Sequence, residues 1–132
     1  MAAAGNYGDD ACLHSPGSVP SAITVGATGS LYSDAPVSDR RMAFSGYGPC
    51  VDIFAPGYQI LSAGFRSDTA GVEFAGTSAA TPHVTGVVAL YLEGHPNATP
   101  AQVSAWLVAN ATRGVVQNAG AGSPNRMLYS LG

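Results

Sequence analysis

The most constraining feature of the sequence is the stretch 78–93, which is apolar almost all the way round a helix. Its large apolar residues are Val84, Val87, Val88, Leu90, Tyr91 and Leu92. A helix that is hydrophobic on every side has to lie buried in the centre of a domain. Gly94 and the pair His95-Pro96 follow it and form an ordinary helix stop. We therefore expect a central helix that other elements enclose.

Short apolar segments before and after this helix predict strands. AITVGAT (22–28) and CVDIFAP (50–56) are bounded by Pro and Gly, as buried strands usually are. YQILSAG and GVEFAG predict two more strands with a turn over 66–71 between them, and RMLYSL predicts a closing strand. Thr99-Pro100-Ala101-Gln102 is a capping-box start for a second helix that runs to about Ala111. The apolar face of that helix comprises Val103, Trp106, Leu107 and Ala111. Strands with helices between and after them predict an α/β fold.

Composition narrows the class of protein further. The chain has 132 residues, the size of one domain. Only 10% of its residues are charged, its five basic residues are all arginines spread along the chain, and its net charge is -3. A nucleic acid or an anionic membrane would need a clustered Lys/Arg surface, so neither is expected as a partner. The sequence has no apolar run of membrane-spanning length and no signal-peptide pattern after Met1.

The motif GTSAATPHVTG (76–86) contains the strongest candidate for chemistry. Ser78 stands where a serine commonly caps a helix by accepting a hydrogen bond from a first-turn amide. The alternative is a nucleophile, because Gly76 permits close backbone approach and the helix start aims free amides at the hydroxyl. Pro82 would lie in the first turn, where its missing N–H costs nothing. The motif is not a phosphate-binding P-loop, because it lacks the sequence Gly-Lys-Ser/Thr. It is not the nucleophile elbow of an α/β-hydrolase either, because Ala80 stands where that motif has its second glycine.

The same motif closely resembles the nucleophile motif of the subtilisin-like serine proteases (subtilases, peptidase family S8), and its Thr-Pro-His form resembles the proteinase K and aqualysin branch. AAAGN, SPGSVPSAITVGAT, FSGYGPCVDIFAPG and SPNRMLYSL resemble further stretches of that branch in the same order. The resemblance implies the C-terminal part of the subtilisin-like three-layer α/β fold, a parallel sheet with flanking helices and a buried helix after the nucleophile. Residues 1–132 would be the C-terminal portion of a single catalytic domain. Only LYSDAPVSDRRM (31–42) is longer than usual, and we expect its extra length on a surface turn.

The resemblance also assigns roles to individual residues. Ser78 would be the nucleophile that attacks a peptide carbonyl, and the side-chain amide of Asn6 would join the Ser78 backbone N–H as a donor in the oxyanion hole. Without the resemblance, Asn6 beside a glycine indicates a turn. The implied substrate-binding residues are Ala3, Ala4, Gly5, Gly76 and Thr77. The first three would line a specificity pocket whose small side chains leave room for a large apolar substrate residue.

A serine nucleophile also needs a base, which a third group, usually a carboxylate, must orient. In the family both partners come from motifs upstream of AAAGN, and neither motif occurs here. His83 follows Ser78 by five residues, a rotation of about 140° and a rise of about 7.5 Å along a helix, so it cannot reach the hydroxyl. His14, near Asp9 and Asp10, matches a position at the border of the specificity pocket. His95 follows a helix and is expected at the surface.

Two interpretations of the function remain open. In the first, the chain is part of a serine endopeptidase that acts on peptides or proteins, and the missing N-terminal part of the catalytic domain supplies Asp and His. In the second, it is a non-catalytic, protease-like module that binds peptides without cleaving them. Met1 directly before a core motif favours the first, because the sheet would otherwise keep an open hydrophobic edge. The isolated chain is expected to be inactive under either interpretation.

Cys12 and Cys50 could be free buried thiols, since no metal-ligand spacing surrounds them. Their positions resemble a disulfide pair of the aqualysin-like branch. The resemblance therefore implies a bridge and a secreted, extracellular parent protein.

The resemblance further implies one structural calcium ion and no organic cofactor. In proteinase K-like enzymes two backbone carbonyls and an aspartate hold calcium, and here these would be Pro20, Ala22 and Asp52. Calcium accepts carbonyl and carboxylate oxygens, so the chemistry is reasonable. The alternative is that Asp52 is a strand-end carboxylate bonded only to backbone.

Overall fold

The computed structural model of the chain describes residues 1–29 and 39–130. In these residues two helices, α1 (Thr77–Gly94) and α2 (Pro100–Asn110), and a short 3-10 helix (Ala11–Leu13) accompany eight strands. The strands are β1 (Ala2–Ala3), β2 (Thr24–Gly29), β3 (Arg40–Arg41), β4 (Ile53–Pro56), β5 (Ile60–Ala63), β6 (Gly71–Phe74), β7 (Thr112–Arg113) and β8 (Arg126–Met127).

The main sheet has the order β1-β2-β4-β8-β7, with β3 paired to β2. The pairs β1–β2, β2–β4 and β4–β8 are parallel, whereas β3 and β7 are antiparallel to their neighbours. Strands β5 and β6 form a separate antiparallel hairpin around the predicted turn. Parallel central strands combined with helices confirm the predicted α/β class.

Strands β2 and β4 lie inside the sheet, and most of their residues are buried on both faces. On one face Val25, Ala27, Ile53 and Ala55 pack against the two helices. On the other face Phe54 packs in a second cluster, with Ala4, Ala11, Val51, Val116 and Met127. In the described part of the chain, the 3-10 helix and irregular segments pack on this second face. No long helix packs there within these residues.

Helix α1 is confirmed, but only one side of it is buried. Its buried residues are Thr77, Ala79, Ala80, Val84, Val87 and Val88. Leu90 on another side is 61% exposed. The expectation that the helix is enclosed on every side is therefore not met within residues 1–29 and 39–130, because the sheet and α2 cover only part of its surface.

Pro82 is the sixth residue of α1, so its predicted place in the first turn is wrong. The helix begins at Thr77, after an N-cap at Gly76. An amide at position 82 would have bonded the carbonyl four residues earlier, which is that of Ser78. Proline therefore leaves the Ser78 carbonyl without its intrahelical donor.

The predicted capping box of α2 is present. Thr99 accepts a hydrogen bond from the Gln102 N–H, and the Gln102 side chain accepts one from the Thr99 N–H at 2.8 Å. Val103 and Leu107 are buried, and Trp106 stacks on Tyr91 of α1 with ring centroids 4.4 Å apart. The predicted apolar face of α2 thus packs against α1. Neither helix of the described residues is both long and apolar enough to cross a lipid bilayer.

One segment differs from expectation. The closing strand RMLYSL is reduced in its described residues to Arg126–Met127, because β8 meets β4 at one residue pair only, Phe54 with Met127. At the end of LYSDAPVSDRRM, Arg40 and Arg41 pair with β2. The rest of that segment, up to residue 38, lies outside the described residues.

Candidate active site

Ser78 is the second residue of α1, and it is exposed. Its side chain lies where two depressions of the surface meet. The first, which we call the Asn6 cavity, has a volume of about 520 Å³ and is lined by Ala3, Gly5, Asn6, Tyr7, Leu13, His14, Ser15, Pro16, Thr77 and Ser78. The second, the Phe74 cleft, measures about 410 Å³ and is lined by Ile60, Ser62, Phe74, Ser78, Ala79, Pro82 and His83. A substrate that spans both depressions would pass the Ser78 hydroxyl.

Asn6 is held in one orientation by Thr77. The Asn6 Oδ1 accepts hydrogen bonds from the Thr77 backbone N–H and from the Thr77 Oγ1, each at 2.9 Å. A backbone N–H can only donate, so the amide oxygen has to face Thr77. The Asn6 Nδ2 group therefore points away from Thr77, and it donates to no described residue.

The cap of α1 is Asn6, and not Ser78. The N-cap residue Gly76 has no side chain, and its φ of 145° is a conformation that favours glycine. Asn6 instead satisfies the first helical amide from a distant part of the chain. The cap interpretation of Ser78 is therefore wrong, because the serine already lies inside the helix and its hydroxyl bonds no described residue.

Two hydrogen-bond donors next to Ser78 are unused. The first four amides of a helix have no intrahelical acceptor. In the described chain neither the Ser78 N–H nor the Asn6 Nδ2 donates to another residue. Free donors at the positive end of a helix are suited to an oxyanion.

The three histidines are all engaged elsewhere. The Nδ1 of His83 bonds the Ala79 carbonyl at 2.9 Å, and the Nδ1 of His95 bonds the Tyr91 carbonyl at 3.0 Å. The Nε2 of His14 lies 2.9 Å from both carboxylate oxygens of Asp9. Within the residues that the structure describes, no histidine is hydrogen-bonded to Ser78.

The predicted substrate-binding residues are only partly brought together. Ala3, Gly5 and Thr77 line the Asn6 cavity. Ala4 is 1% exposed and packs in the second core cluster, because neighbouring residues of an extended segment face opposite sides. Gly76 is buried and does not line the cavity either. The predicted pocket wall of Ala3, Ala4 and Gly5 is therefore present without the side chain of Ala4, and the substrate-binding role of Gly76 stays a prediction.

The predicted disulfide is present between Cys12 and Cys50, whose Cα atoms are 5.3 Å apart. Cys12 belongs to the 3-10 helix that leads into His14 and the wall of the Asn6 cavity. The bridge therefore ties this wall to the segment that enters β4.

The residues predicted for calcium line a third depression of about 830 Å³. One carboxylate oxygen of Asp52 accepts the Thr24 N–H at 2.8 Å, which is the bond that the alternative interpretation expects. Its second oxygen, and the carbonyls of Pro20 and Ala22, accept no hydrogen bond from any described residue. Carbonyl and carboxylate oxygens are the kinds of ligand that calcium accepts, and the site stays a prediction. Residues 1–29 and 39–130 contain no cluster of three His, Cys, Asp or Glu side chains that could hold a metal.

Two features of the site were missed from the sequence. One is the role of Thr77 in orienting Asn6, across 71 residues of chain. The other is the Phe74 cleft, whose hairpin residues lie on two strands that are exposed along nearly their whole length. Only the closeness of Phe74 to the GTS motif could have drawn attention to it.

An exposed serine at the start of a helix, with two donors beside it that no described residue uses, has the surroundings that a nucleophile next to an oxyanion site requires. Residues 1–127 match the model of the subtilase family (peptidase S8). The chain belongs to this family, as the sequence motifs predicted.

Individual relatives agree with this assignment. The chain is 53% identical over 130 residues to an extracellular serine proteinase of Thermus sp. (strain Rt41A), covering 98% of this chain and 30% of the relative. It is 47% identical over 131 residues to alkaline serine exoprotease A of Vibrio alginolyticus, covering 99% of this chain and 23% of the relative. A crystal structure of a cold-adapted subtilisin-like serine proteinase superposes with a TM-score of 0.86 at 45% identity, covering 98% of this chain and 44% of the other. The chain thus spans about a quarter to a third of these two relatives.

Proposed function

We propose that the whole protein is a serine endopeptidase that hydrolyses peptide bonds of peptide or protein substrates, and that residues 1–132 form the C-terminal portion of its single catalytic domain. The observation that carries the proposal is the orientation of Asn6, whose Oδ1 is bonded to Thr77 so that its Nδ2 is free beside Ser78. Membership of the subtilase family supports the same reaction.

In the proposed mechanism the Ser78 Oγ attacks the carbonyl carbon of the scissile peptide bond. The carbonyl oxygen becomes an oxyanion that accepts hydrogen bonds from the Ser78 N–H and the Asn6 Nδ2. One such donor contributes about 3 kcal/mol to the transition state, a value obtained on subtilisin, itself a member of this family. Departure of the amine leaves an acyl-serine ester, which water then hydrolyses.

The proton of the Ser78 hydroxyl needs a base, and none of the described residues places a histidine on it. The histidines of this chain are bonded to Asp9, to Ala79 and to Tyr91. We propose that a histidine and an orienting aspartate come from the part of the catalytic domain that this chain does not include. The share of the relatives' length that this chain covers is in keeping with such a missing part.

The Asn6 cavity is the proposed site for the substrate side chain next to the scissile bond. Ala3 and Gly5 are small, so they leave room in the cavity for a substrate side chain. Leu13 and Pro16 add apolar surface to its lining. A large apolar side chain is therefore the proposed preference. The Phe74 cleft, on the other side of Ser78, would hold residues beyond the scissile bond.

A fluorophosphonate probe tests the proposed chemistry, because it reacts only with an activated serine. We expect labelling of Ser78 in the whole protein, loss of labelling in Ser78→Ala, and little labelling of the isolated chain. Strong labelling of the isolated chain at Ser78 would contradict the missing base. Tight binding of peptides by the whole protein without labelling or cleavage would favour the alternative, a protease-like module that only binds peptides.

We also propose a structural calcium ion held by the carbonyls of Pro20 and Ala22 and by the carboxylate of Asp52. Their free oxygens support it. The ion would stabilise the folded chain by pinning the loop before β2, since any ligand that binds only the native state raises its stability. Added calcium is expected to raise the melting temperature of the chain, and Asp52→Asn to abolish the rise. Asp68→Asn, in the exposed turn of the β5–β6 hairpin, serves as the control. An equal rise in Asp52→Asn would exclude this site.

Secretion of the whole protein is proposed from two observations. The Cys12–Cys50 disulfide is typical of proteins that fold in an oxidising compartment. The relative from Thermus sp. is named an extracellular proteinase.

A further inference from the structure

The backbone on both sides of Asn6 is hydrogen-bonded to residues 42–47, which we call the backing segment. The bonds run from the Gly46 N–H to the Gly5 carbonyl at 2.9 Å, and from the Gly8 N–H to the Phe44 carbonyl at 2.8 Å. One bond lies before Asn6 in the chain and the other lies after it. The position of Asn6 therefore follows the position of the backing segment.

The two stretches of chain touch backbone to backbone. A Cβ at Gly46 would overlap the carbonyl oxygen of Ala4, and a Cβ at Gly8 would lie 2.7 Å from the carbonyl oxygen of Ala43. Glycine permits such a close approach because it has no side chain. A displacement of the backing segment is passed on directly, since close-packed groups transmit strain.

Arg41 precedes the backing segment and bonds to it. Its Nη1 donates to the Ser45 carbonyl at 2.8 Å and to the Met42 carbonyl at 3.2 Å, and its Nε donates to the Asn118 carbonyl at 3.0 Å. The guanidinium carbon lies 5.0 Å from the centroid of the Tyr47 ring, which is a cation–π contact. Among the described residues no carboxylate forms an ion pair with Arg41, so its donors are directed at backbone carbonyls.

The Ser45 carbonyl and the Gly46 N–H belong to the same peptide group. In a trans peptide these two groups point in opposite directions, so Arg41 and Gly5 lie on opposite sides of the backing segment. The Gly5 carbonyl in turn belongs to the peptide group that leads into Asn6. Two successive hydrogen bonds, of 2.8 and 2.9 Å, thus connect the guanidinium with the backbone of Asn6.

The charge of Arg41 strengthens this connection. A hydrogen bond from a charged donor is roughly twice as strong as one between neutral groups. It also polarises the peptide group that accepts it, which makes the N–H of that group a better donor. Burial lowers the pKa of the Arg41 guanidinium and Tyr47 opposes this shift, but an arginine stays protonated in a protein.

The Ser45 side chain anchors the backing segment in a different way. It is completely buried, and its hydroxyl accepts the Ala27 N–H at 2.9 Å and donates to the Gly46 carbonyl at 3.0 Å. These bonds join the segment to β2. They do not involve the Ser45 carbonyl, whose donor is Arg41. The direction of this carbonyl therefore depends on the guanidinium.

We infer that Arg41 is a positioning residue for Asn6, because it holds the peptide group after Ser45 and so fixes where the Asn6 amide lies beside Ser78. Arg41 lines neither the Asn6 cavity nor the Phe74 cleft, so it acts through the backing segment. Thr77 orients the Asn6 side chain, whereas Arg41 fixes the place of its backbone. The inference rests on the proposed function, since it takes Asn6 as the oxyanion donor.

The test is a double-mutant cycle in the whole protein, with steady-state kinetics on a peptide substrate. Arg41→Met keeps the stem of the side chain and removes the guanidinium. We expect kcat to fall about tenfold and KM to stay within about twofold, since misplacing a catalytic group by about 1 Å costs up to about a hundredfold. With Asn6→Ala already present, the same substitution should lower kcat less than about twofold. Arg113→Met, which removes another arginine bonded to a backbone carbonyl, should leave kcat unchanged.

Two further measurements separate positioning from a general loss of structure. Arg41→Lys keeps a charged donor without the fork of the guanidinium, so kcat should fall only about threefold, and this loss should also disappear in Asn6→Ala. Should Arg41→Met fail to fold, Arg41→Lys takes its place in the cycle. In ¹H–¹⁵N spectra of the asparagine-labelled whole protein, the side-chain amide signals of Asn6 should shift in Arg41→Met and stay in place in Arg113→Met. Asn6→Ala identifies these signals by their loss.

A native kcat in Arg41→Met, an undiminished effect of this substitution in Asn6→Ala, or unchanged Asn6 amide signals would overturn the inference. A rise in KM alone would overturn it as well, because it would place Arg41 in substrate binding. Failure of the proposed function is a separate result. A whole protein that neither cleaves peptides nor labels at Ser78 would contradict the peptidase, while the Asn6 amide signals would still decide whether Arg41 positions that side chain.

Discussion

Asn6 connects the stability of a helix with the geometry of the site. Its Oδ1 satisfies the first amide of α1, and the same bond turns its Nδ2 towards the space beside Ser78. The Thr77 hydroxyl, on a fully buried side chain, adds a second bond to the same oxygen. An amide held by two donors is pre-organised, and oxyanion stabilisation depends on such pre-organisation.

Thr77→Val tests this link, since valine keeps the shape of threonine and removes only the hydroxyl. The backbone bond to Asn6 remains, but the amide is held less firmly. In the whole protein we expect kcat to fall about fivefold with KM unchanged, which corresponds to about 1 kcal/mol, the usual value of one hydrogen bond. Steady-state kinetics on a peptide substrate give both constants.

Thr85→Val is the matched control, because the Thr85 hydroxyl bonds the Thr81 carbonyl on the exposed side of the same helix. It should leave kcat unchanged. An equal loss of kcat in both variants would mean that the helix, and not the Asn6 bond, is responsible.

Among the secondary-structure elements, β2 packs against β4 only because position 26 is a glycine and carries no side chain. Gly26 lies opposite Phe54 in the register of the two strands. A Cβ at Gly26 would overlap the ring of Phe54, which is completely buried in the second core cluster. Glycine in a strand interior often marks such a close approach.

Gly26→Ala should therefore destabilise the chain by about 1–3 kcal/mol, the usual cost of overpacking a core. Gly86→Ala, in the middle of α1, should do the reverse and stabilise it by about 0.5–1 kcal/mol. A Cβ at Gly86 meets nothing within 4 Å, and alanine favours the helix more than glycine does. Urea unfolding followed by Trp106 fluorescence measures both changes. The same sign for the two variants would contradict this account of the packing.

For the whole molecule, the position of Ser78 between two depressions matters more than either depression alone. The Asn6 cavity is built by residues 3–16 and the start of α1, and the Phe74 cleft by the hairpin and the following turn of the same helix. The segments that meet at the serine are far apart in the chain. The disulfide is one covalent link that holds the first of them to the sheet.

Replacing both Cys12 and Cys50 by serine is expected to cost roughly 2–4 kcal/mol of folding free energy, because the bridge closes a loop with a sequence separation of 38 and so restricts the unfolded chain. Denaturant unfolding of the native and doubly substituted chains measures the difference. The native chain treated with a reductant should lose a similar amount. A difference below about 0.5 kcal/mol would show that the bridge contributes little.

Much of the fold could be predicted from the sequence because the relevant signals are local. The start of α2 follows from Thr99 and Gln102, which are three residues apart, and the burial of β2 follows from its own apolar run. The candidate nucleophile was found in the same way, because the GTS motif and the apolar helix behind it are contiguous.

The tertiary structure alone decided the features that depend on distant residues. The Ser78 hydroxyl is not used to cap the helix, because Asn6, which is 71 residues from Thr77 in the chain, does so. The side chain of Ala4 does not line the Asn6 cavity, because it packs in the core. How much of α1 is buried depends on which elements reach it, and no periodicity within the helix contains that information. Local pattern determined what each segment can form, whereas contacts between segments determined which side chains remain free to react.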